Sequence, residues 1–131
     1  MKNGESVAGF MVSEEVETAL SDGRPVVALE STILTHGLPK PENLHIGQEM
    51  EAEIRNAGAV PVTIAVLDGT ARIGLPTPDL VRLCSTDDAV KLSRRDFGVA
   101  LSKGWTGGTT VAATMILAAR AGIEVFATGG I

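Results

Sequence analysis

The 131-residue sequence predicts an α/β fold: layered α/β/α, with a mixed, mostly parallel β-sheet and one β-hairpin. Three observations predict it. Apolar runs rich in β-branched residues alternate with segments whose apolar residues recur at helical spacing. Glycine and proline cluster between these segments, where loops are expected. Asp68-Gly69, a strong hairpin signal, separates two of the apolar runs, so we expect a single hairpin in the sheet. The length suits one compact domain, residues 1–131.

The first half of the chain predicts two helices, one strand and one irregular loop. A helix over residues 12–20 has Ser13 as its cap and acidic residues in its first turn. A buried strand over residues 26–29 follows. The prolines within residues 36–41 exclude regular structure there. A second helix, over residues 43–57, presents one apolar face and ends at a glycine.

The middle of the chain predicts three strands and a helix. Residues 60–67 form a strand rich in β-branched residues, and the hairpin turn returns residues 71–75 antiparallel to it. A helix starts at Thr77, which is followed by a proline and an acidic residue. A short strand over residues 89–92 then delivers Lys91.

The end of the chain predicts a glycine loop between two helices. Asp96 is expected to cap a short helix through residue 101, and residues 106–110 form the loop. The next helix, residues 111–119, is apolar almost all round and is therefore expected to be buried. A strand over residues 123–128 leads into Thr-Gly-Gly. Loops after strands build the sites of open α/β sheets, so a chain that stops at Ile131 in such a loop is expected to be truncated.

Composition restricts the partners. The net charge of −5 gives no general attraction to nucleic acid or to an anionic membrane, so we expect neither as a partner. No apolar run approaches the length of a membrane span, and the N-terminus has no signal-peptide core. The single cysteine, Cys84, cannot form an internal disulfide and is interpreted as a small core residue. We therefore expect a soluble cytoplasmic protein.

Glu30 is the first candidate for chemistry, because it ends an apolar strand. Burying a carboxylate is costly unless it is paired, so either the strand surfaces there or the fold holds the carboxyl for a task. One interpretation is a general acid or base at a strand end. The other is a carboxylate that accepts hydrogen bonds from nearby backbone or a cation. The second is the commoner role, but Ser31, Thr32 and His36 bring further polar groups to the same strand end and add weight to the first.

Cations follow the strand that carries Lys91. With Arg94 and Arg95 close behind it, Lys91 could hold a phosphate, or its amine could act as a nucleophile if desolvated. The alternatives are a solvated edge charge for Lys91 and a structural pair between Arg95 and Asp96.

The segment GWTGGTTVAATM suggests an anion site. Glycines let a backbone approach an anion, and the following helix start offers free N–H groups. The segment matches neither the Walker pattern nor G-x-G-x-x-G, and glycine also serves plain turns. His36 and His45 have no cysteine partner and no metal-binding spacing, and His45 is expected on the surface of the second helix.

Five segments, in this order, resemble the pseudouridine-5′-phosphate glycosidase family: ALESTILTHGLPKPEN, GAVPVTIAVLDG, VKLSRRD, GGTTVAATMILAARAGI and VFATGGI. The resemblance extends from residue 26 to residue 131. It implies an enzyme of pseudouridine catabolism, of glycosidase or carbon–oxygen lyase type. Its reaction would be the reversible cleavage of the C–C glycosidic bond of pseudouridine 5′-phosphate to ribose 5-phosphate and uracil. It also implies Mn²⁺ as a cofactor and a homotrimer if the protein is full length.

The resemblance also implies roles for residues of this chain. Glu30 matches the glutamate that supplies a proton during ribose ring opening. Lys91 and Val111 match substrate contacts, the latter through its backbone at the helix start. Thr110 is our own addition to these substrate-binding residues, from the anion-binding argument. The Schiff-base lysine of the family and its Mn²⁺-binding aspartate follow the TGGI segment, so we expect this chain to lack both and to hold no metal ligand.

Three functional hypotheses result. The first is the N-terminal half of a pseudouridine-5′-phosphate glycosidase. The second is a catalytically incompetent fragment that serves as a sugar-phosphate-binding or assembly module. The third, a sugar-phosphate kinase or isomerase, needs a Walker-type lysine or a cluster of metal ligands, and the sequence shows neither.

Overall fold

A seven-stranded mixed sheet runs through the residues that the structure describes, 6–7 and 9–130 of a computed structural model. Residues 1–5, part of the segment in which we predicted no signal-peptide core, and Ile131, where we predicted a truncation, lie outside them. The strands are β1 Ser6–Val7, β2 Phe10–Val12, β3 Val26–Leu29, β4 Val60–Leu67, β5 Thr70–Ile73, β6 Val90–Leu92 and β7 Gly107–Thr109. The helices are α1 Glu14–Ser21, α2 Glu42–Asn56, α3 Thr77–Ser85, α4 Phe97–Lys103 and α5 Val111–Ala121.

The sheet is mixed, as predicted. Its strand order is β1-β2-β5-β4-β7-β6, and β3 pairs with β4 beside this path. The parallel pairings in the described part of the chain are β2 with β5, β3 with β4, β6 with β7, and one bridge from Ala28 to Phe126. The antiparallel pairings are β1 with β2, β4 with β5 and β4 with β7.

Strand β4 is the centre of the core, because all eight of its residues are buried. Its alternate side chains point to opposite faces of the sheet. Val62, Ile64 and Val66 join the cluster that contains residues of α1, α4 and α5, whereas Ala65 and Leu67 pack with residues of α3. Helices therefore cover both faces, which confirms the predicted layers. No helix in residues 9–130 is both long and apolar enough to cross a membrane.

Local signals placed several elements correctly. Ser13 caps α1 by accepting a hydrogen bond from Val16 N–H at 3.3 Å. Asp68 and Gly69 have φ values of 49° and 76° in the turn between β4 and β5, the backbone that a two-residue hairpin requires. Cys84 is buried in the core, as expected.

The predicted strand over residues 123–128 is wrong in extent. Only two backbone hydrogen bonds join this segment to the sheet, both with Ala28. Val125 O accepts from Ala28 N–H, and Ala127 N–H donates to Ala28 O. Strand β2, by contrast, was not predicted, since its three residues are too few to show a period.

Two further predictions are corrected by local backbone contacts. Residues 36–41 were expected to be irregular, but a π-helical turn, Ile33–Gly37, includes residues 36 and 37. Ser31 O accepts from the N–H groups of residues 34 and 35 at the start of this turn. Asp96 does not cap α4 by its side chain. Its carboxylate accepts from Ser93 N–H at 2.8 Å instead, and a 3₁₀ turn, Arg94–Asp96, precedes the helix.

Asn43 holds the π-helical turn Ile33–Gly37 in place through its side-chain amide. Its side chain is buried and donates to Leu34 O at 2.9 Å and to Cys84 O at 2.8 Å, while its oxygen accepts from Leu44 N–H. The amide therefore ties the turn after Glu30 to the end of α3. No local sequence pattern indicates this role.

Candidate functional site

Two strands meet end to end beside the middle of β4. Strand β3 pairs in parallel with residues 60–63, and β7 pairs antiparallel with residues 65–66. Their carboxyl ends therefore face each other at Ile64. Ser31 N–H donates to Thr109 O across the gap at 3.2 Å. In α/β sheets a crevice opens where neighbouring connections diverge, so this junction is the candidate site.

Buried hydroxyls hold the junction together. Ser31 Oγ and Thr109 Oγ1 both donate to Ile64 O, at 2.6 and 2.8 Å. Ser31 Oγ also accepts from Thr109 N–H at 2.8 Å, and Thr114 Oγ1 lies 2.9 Å from Thr109 Oγ1. All three hydroxyl residues are fully buried. They replace the ladder bonds that neither strand makes at this point, because buried backbone groups need partners.

Glu30 is half-buried at this junction, where β3 ends. Its Oε1 accepts a hydrogen bond from Thr128 Oγ1, and Thr128 Oγ1 accepts from Gly130 N–H at 2.9 Å. The structural interpretation of Glu30 requires a hydrogen bond to the carboxylate from the backbone or from a cation. Within residues 9–130, neither contacts it. The carboxyl is thus oriented by a side chain and partly open to solvent.

The start of α5 lies next to Glu30. A methyl group added at Gly130 would lie 3.2 Å from Val111 Cγ2 and 3.5 Å from Glu30 Oε1, so these two residues border one small space. Among the described residues, none accepts a hydrogen bond from the N–H groups of Val111 and Ala112. Such unpaired groups at a helix start attract anions.

Thr110 joins this helix start to the end of β6. Its hydroxyl caps α5 by accepting from Ala113 N–H at 3.3 Å and donates to Ser93 Oγ at 3.3 Å. Its own N–H donates to Leu92 O at 3.0 Å. Thr110 therefore acts first as a cap, and its contact with a substrate stays a prediction.

Lys91 is exposed on β6, beside Gly108 in the register of β6 and β7. Arg94 and Arg95 are exposed on the turn that follows. Within residues 9–130, no carboxylate lies within ion-pairing distance of these three cations, and the predicted pair of Arg95 with Asp96 is absent. The structure brings Glu30 and Val111 together, but it shows no direct contact between either of them and Lys91.

The glycine pair has another role than the one predicted. Gly107 and Gly108 lie in β7, not in a loop, and both are buried. A methyl group at Gly108 would lie 2.8 Å from Ser31 O, and one at Gly107 would lie 3.0 Å from Leu92 Cδ1. Neighbouring atoms therefore fill the space that an anion would need at the glycines. The start of α5 is therefore the part of this segment that could still bind an anion.

The residues present do not fit the Mn²⁺ that the resemblance implies. In the described part of the chain, no three His, Cys, Asp or Glu side chains lie close enough to hold a metal ion. His45 is exposed and faces Glu49 one turn along α2, at 3.1 Å. Burial raises the pKa of the Cys84 thiol.

Sequence reasoning missed Thr128, Thr109 and Thr114. The segment FATGG places Thr128 after an apolar run, as Glu30 is placed, and that parallel could have identified it. No local signal marks Thr109, because its partners Ser31 and Ile64 lie far away in the chain, and Thr114 joins the junction only through Thr109.

Comparison with known proteins gives a consistent assignment. The profile of the family described as "Indigoidine synthase A like protein" matches residues 15–131. The pseudouridine-5′-phosphate glycosidases of Chloroflexus aurantiacus and Saccharopolyspora erythraea are 60% and 54% identical to the chain, each over 121 residues. Each match covers 92% of this chain and 40% of the relative. The chain thus spans well under half the length of these curated relatives.

Two solved structures share the fold, and the matches fit the resemblance found in the sequence. The crystal structure of a prealnumycin C-glycosynthase in complex with ribulose 5-phosphate has a TM-score of 0.83 and 43% identity, over 96% of this chain and 40% of that one. An indigoidine synthase A-like protein from Thermotoga maritima has a TM-score of 0.81 and 27% identity, over 98% and 42%. The chain therefore belongs to the indigoidine synthase A-like family, the family of the pseudouridine-5′-phosphate glycosidases.

Proposed function

We propose that this chain supplies the Glu30 part of an active site that reversibly cleaves the C–C glycosidic bond of pseudouridine 5′-phosphate to ribose 5-phosphate and uracil. The observation that supports it best is the junction of β3 and β7. There the half-buried Glu30 carboxyl and the side chain of Val111 border one space, and Val111 begins α5, whose first N–H groups are unpaired among the described residues. A carboxyl can transfer a proton to the sugar, and an anion site can bind its phosphate, so the two together suit a sugar-phosphate substrate.

Each residue has a separate role in the proposal. Glu30 gives its proton to the ribose ring oxygen as the ring opens, which lowers the barrier to breaking that C–O bond. The N–H of Val111 binds an oxygen of the substrate at the positive end of α5, with Thr110 as its cap. Lys91 attracts the phosphate as an exposed point charge.

The Schiff-base lysine lies outside this proposal, because the resemblance places it after residue 131. Mn²⁺ has no ligand set among the described residues, so the proposed roles of Glu30, Val111 and Lys91 do not involve the metal. The trimer remains a prediction for a full-length protein, which light scattering of the chimera described next would test.

A chimera tests the proposal in a complete enzyme. This chain would replace the matching 121 residues of the Chloroflexus aurantiacus relative, whose remaining part is kept. Pseudouridine 5′-phosphate formed from ribose 5-phosphate and uracil, with Mn²⁺ added, is measured by chromatography. We expect turnover in the chimera, none with Glu30→Gln, and ribose 5-phosphate binding largely unchanged by that substitution.

Lys91→Ala in the chimera should chiefly raise KM, because it removes attraction for the phosphate. Lys103→Ala is the matched control, since Lys103 is also an exposed lysine but lies at the end of α4. Near-normal turnover by Glu30→Gln would refute the acid role. A folded chimera that binds ribose 5-phosphate without turnover would favour the binding-module hypothesis instead.

A further inference from the structure

The hydroxyl of Thr128 contacts both Glu30 and the backbone N–H of Gly130, and no role has been given to this residue so far. We propose that Thr128 is a positioning residue that fixes which oxygen of the Glu30 carboxyl exchanges a proton with the substrate. The inference rests on the proposed function of Glu30 and adds a second residue to it.

The structure gives a direction to both hydrogen bonds of the Thr128 hydroxyl. Gly130 N–H donates to Thr128 Oγ1 at 2.9 Å, which uses one lone pair of the hydroxyl. A hydroxyl has one proton, and that proton is donated to Glu30 Oε1. Oε1 is therefore held as an acceptor. The second oxygen, Oε2, is the one left to carry the acidic proton.

The backbone on both sides of Glu30 is held by hydrogen bonds, so Thr128 can affect only the conformation of the Glu30 side chain. Leu29 before it pairs with Thr63 in the sheet, and Ser31 after it donates its N–H to Thr109 O. A glutamate side chain at a half-buried site can still adopt several rotamers. The threonine is β-branched and has few rotamers of its own, so its hydroxyl is a stiff support for the carboxyl.

Fixing one oxygen matters for proton transfer. A general acid must lie within hydrogen-bond reach of the atom that receives its proton. A misplacement of about 1 Å can cost about 100-fold in rate. Holding Oε1, the oxygen that borders the space Glu30 shares with Val111, also fixes the position of Oε2 beside it.

Two substitutions separate the hydroxyl from the shape of the side chain. Thr128→Val keeps the shape and removes both hydrogen bonds, whereas Thr128→Ser keeps the hydroxyl. In the 131-residue chain, the NMR resonance of the Glu30 side-chain carboxyl is assigned by its absence in Glu30→Gln. We expect Thr128→Val to move this resonance and Thr128→Ser to leave it near its original position. An unmoved resonance in Thr128→Val would overturn the contact, and with it the inference.

Kinetics in the chimera test the consequence. We expect Thr128→Val to lower kcat about 10- to 100-fold with little change in KM, and Thr128→Ser to restore most of it. Thermal unfolding of each variant checks that the fold is kept. Equal kcat in Thr128→Val and the parent, with Glu30→Gln inactive, would overturn the inference and leave the proposed function intact. Turnover by Glu30→Gln would refute the proposed function itself, whereas the resonance would still report the contact.

Discussion

Replacing Ser31 by alanine tests how the two strand ends are joined. Ser31 Oγ accepts from Thr109 N–H at 2.8 Å and donates to Ile64 O at 2.6 Å, in a site without solvent exposure. In Ser31→Ala, Thr109 N–H loses its acceptor, whereas Ile64 O keeps the hydroxyl of Thr109 as a donor. One buried donor is thus left unpaired.

The expected loss of stability follows from that count. An unsatisfied buried polar group costs about 1–3 kcal/mol. The free energy of unfolding should therefore fall by about 1–3 kcal/mol in Ser31→Ala, as measured by urea denaturation of the 131-residue chain. Thr109→Val should show a coupling of about 0.5–3 kcal/mol with Ser31→Ala in a double-mutant cycle, because the two hydroxyls share the Ile64 carbonyl.

Ser102→Ala is the matched control for this measurement. Ser102 is an exposed serine on α4, and its substitution should change the free energy of unfolding by less than about 0.5 kcal/mol. If Ser31→Ala lowered the free energy of unfolding no more than this control, the Ser31 hydroxyl would not hold the strand junction beside Glu30.

Three further predictions concern the frame around the site. Asn43→Ala leaves two buried carbonyls unpaired and should cost about 2–4 kcal/mol in urea denaturation, whereas the exposed Asn56→Ala should cost less than about 0.5. Gly74→Ala should be less stable than Gly23→Ala by about 1–3 kcal/mol. Both glycines have positive φ, but only at Gly74 would the methyl group lie 2.5 Å from the hydroxyl that caps α1. Burial raises the pKa of Glu51 above its ordinary 4.5, so the folded state holds this proton more tightly than the unfolded state. The stability that this provides is lost as the pH rises through the raised pKa, so Glu51→Gln should gain stability relative to the parent as the pH rises above 4.5 in the same assay.

Local patterns predicted most of the frame, because caps, turns and apolar periods depend on neighbouring residues. The hairpin at Asp68-Gly69 and the cap at Ser13 are of this kind. The end-to-end meeting of β3 and β7 could not be predicted in the same way. Strand β7 has three residues and two of them are glycines, so it carries no side-chain pattern that would indicate a strand.

The candidate site was predicted only in its separate parts. Glu30 was identified because a carboxylate at the end of an apolar strand is unusual. The glycines before α5 were interpreted as room for an anion, but they make room for atoms of neighbouring chain segments. Thr128 lies 98 residues from Glu30 in the chain, and only the folded structure shows that the two meet.

The most direct test of the account is an NMR titration of the 131-residue chain with ribose 5-phosphate, followed through backbone amide resonances. The account predicts saturable shifts at Val111 and Ala112, with smaller ones around Glu30, and no such shifts with ribose at the same concentration. No saturable shift, or shifts confined to residues outside the junction of β3, β7 and α5, would contradict the claim that this junction binds a sugar phosphate.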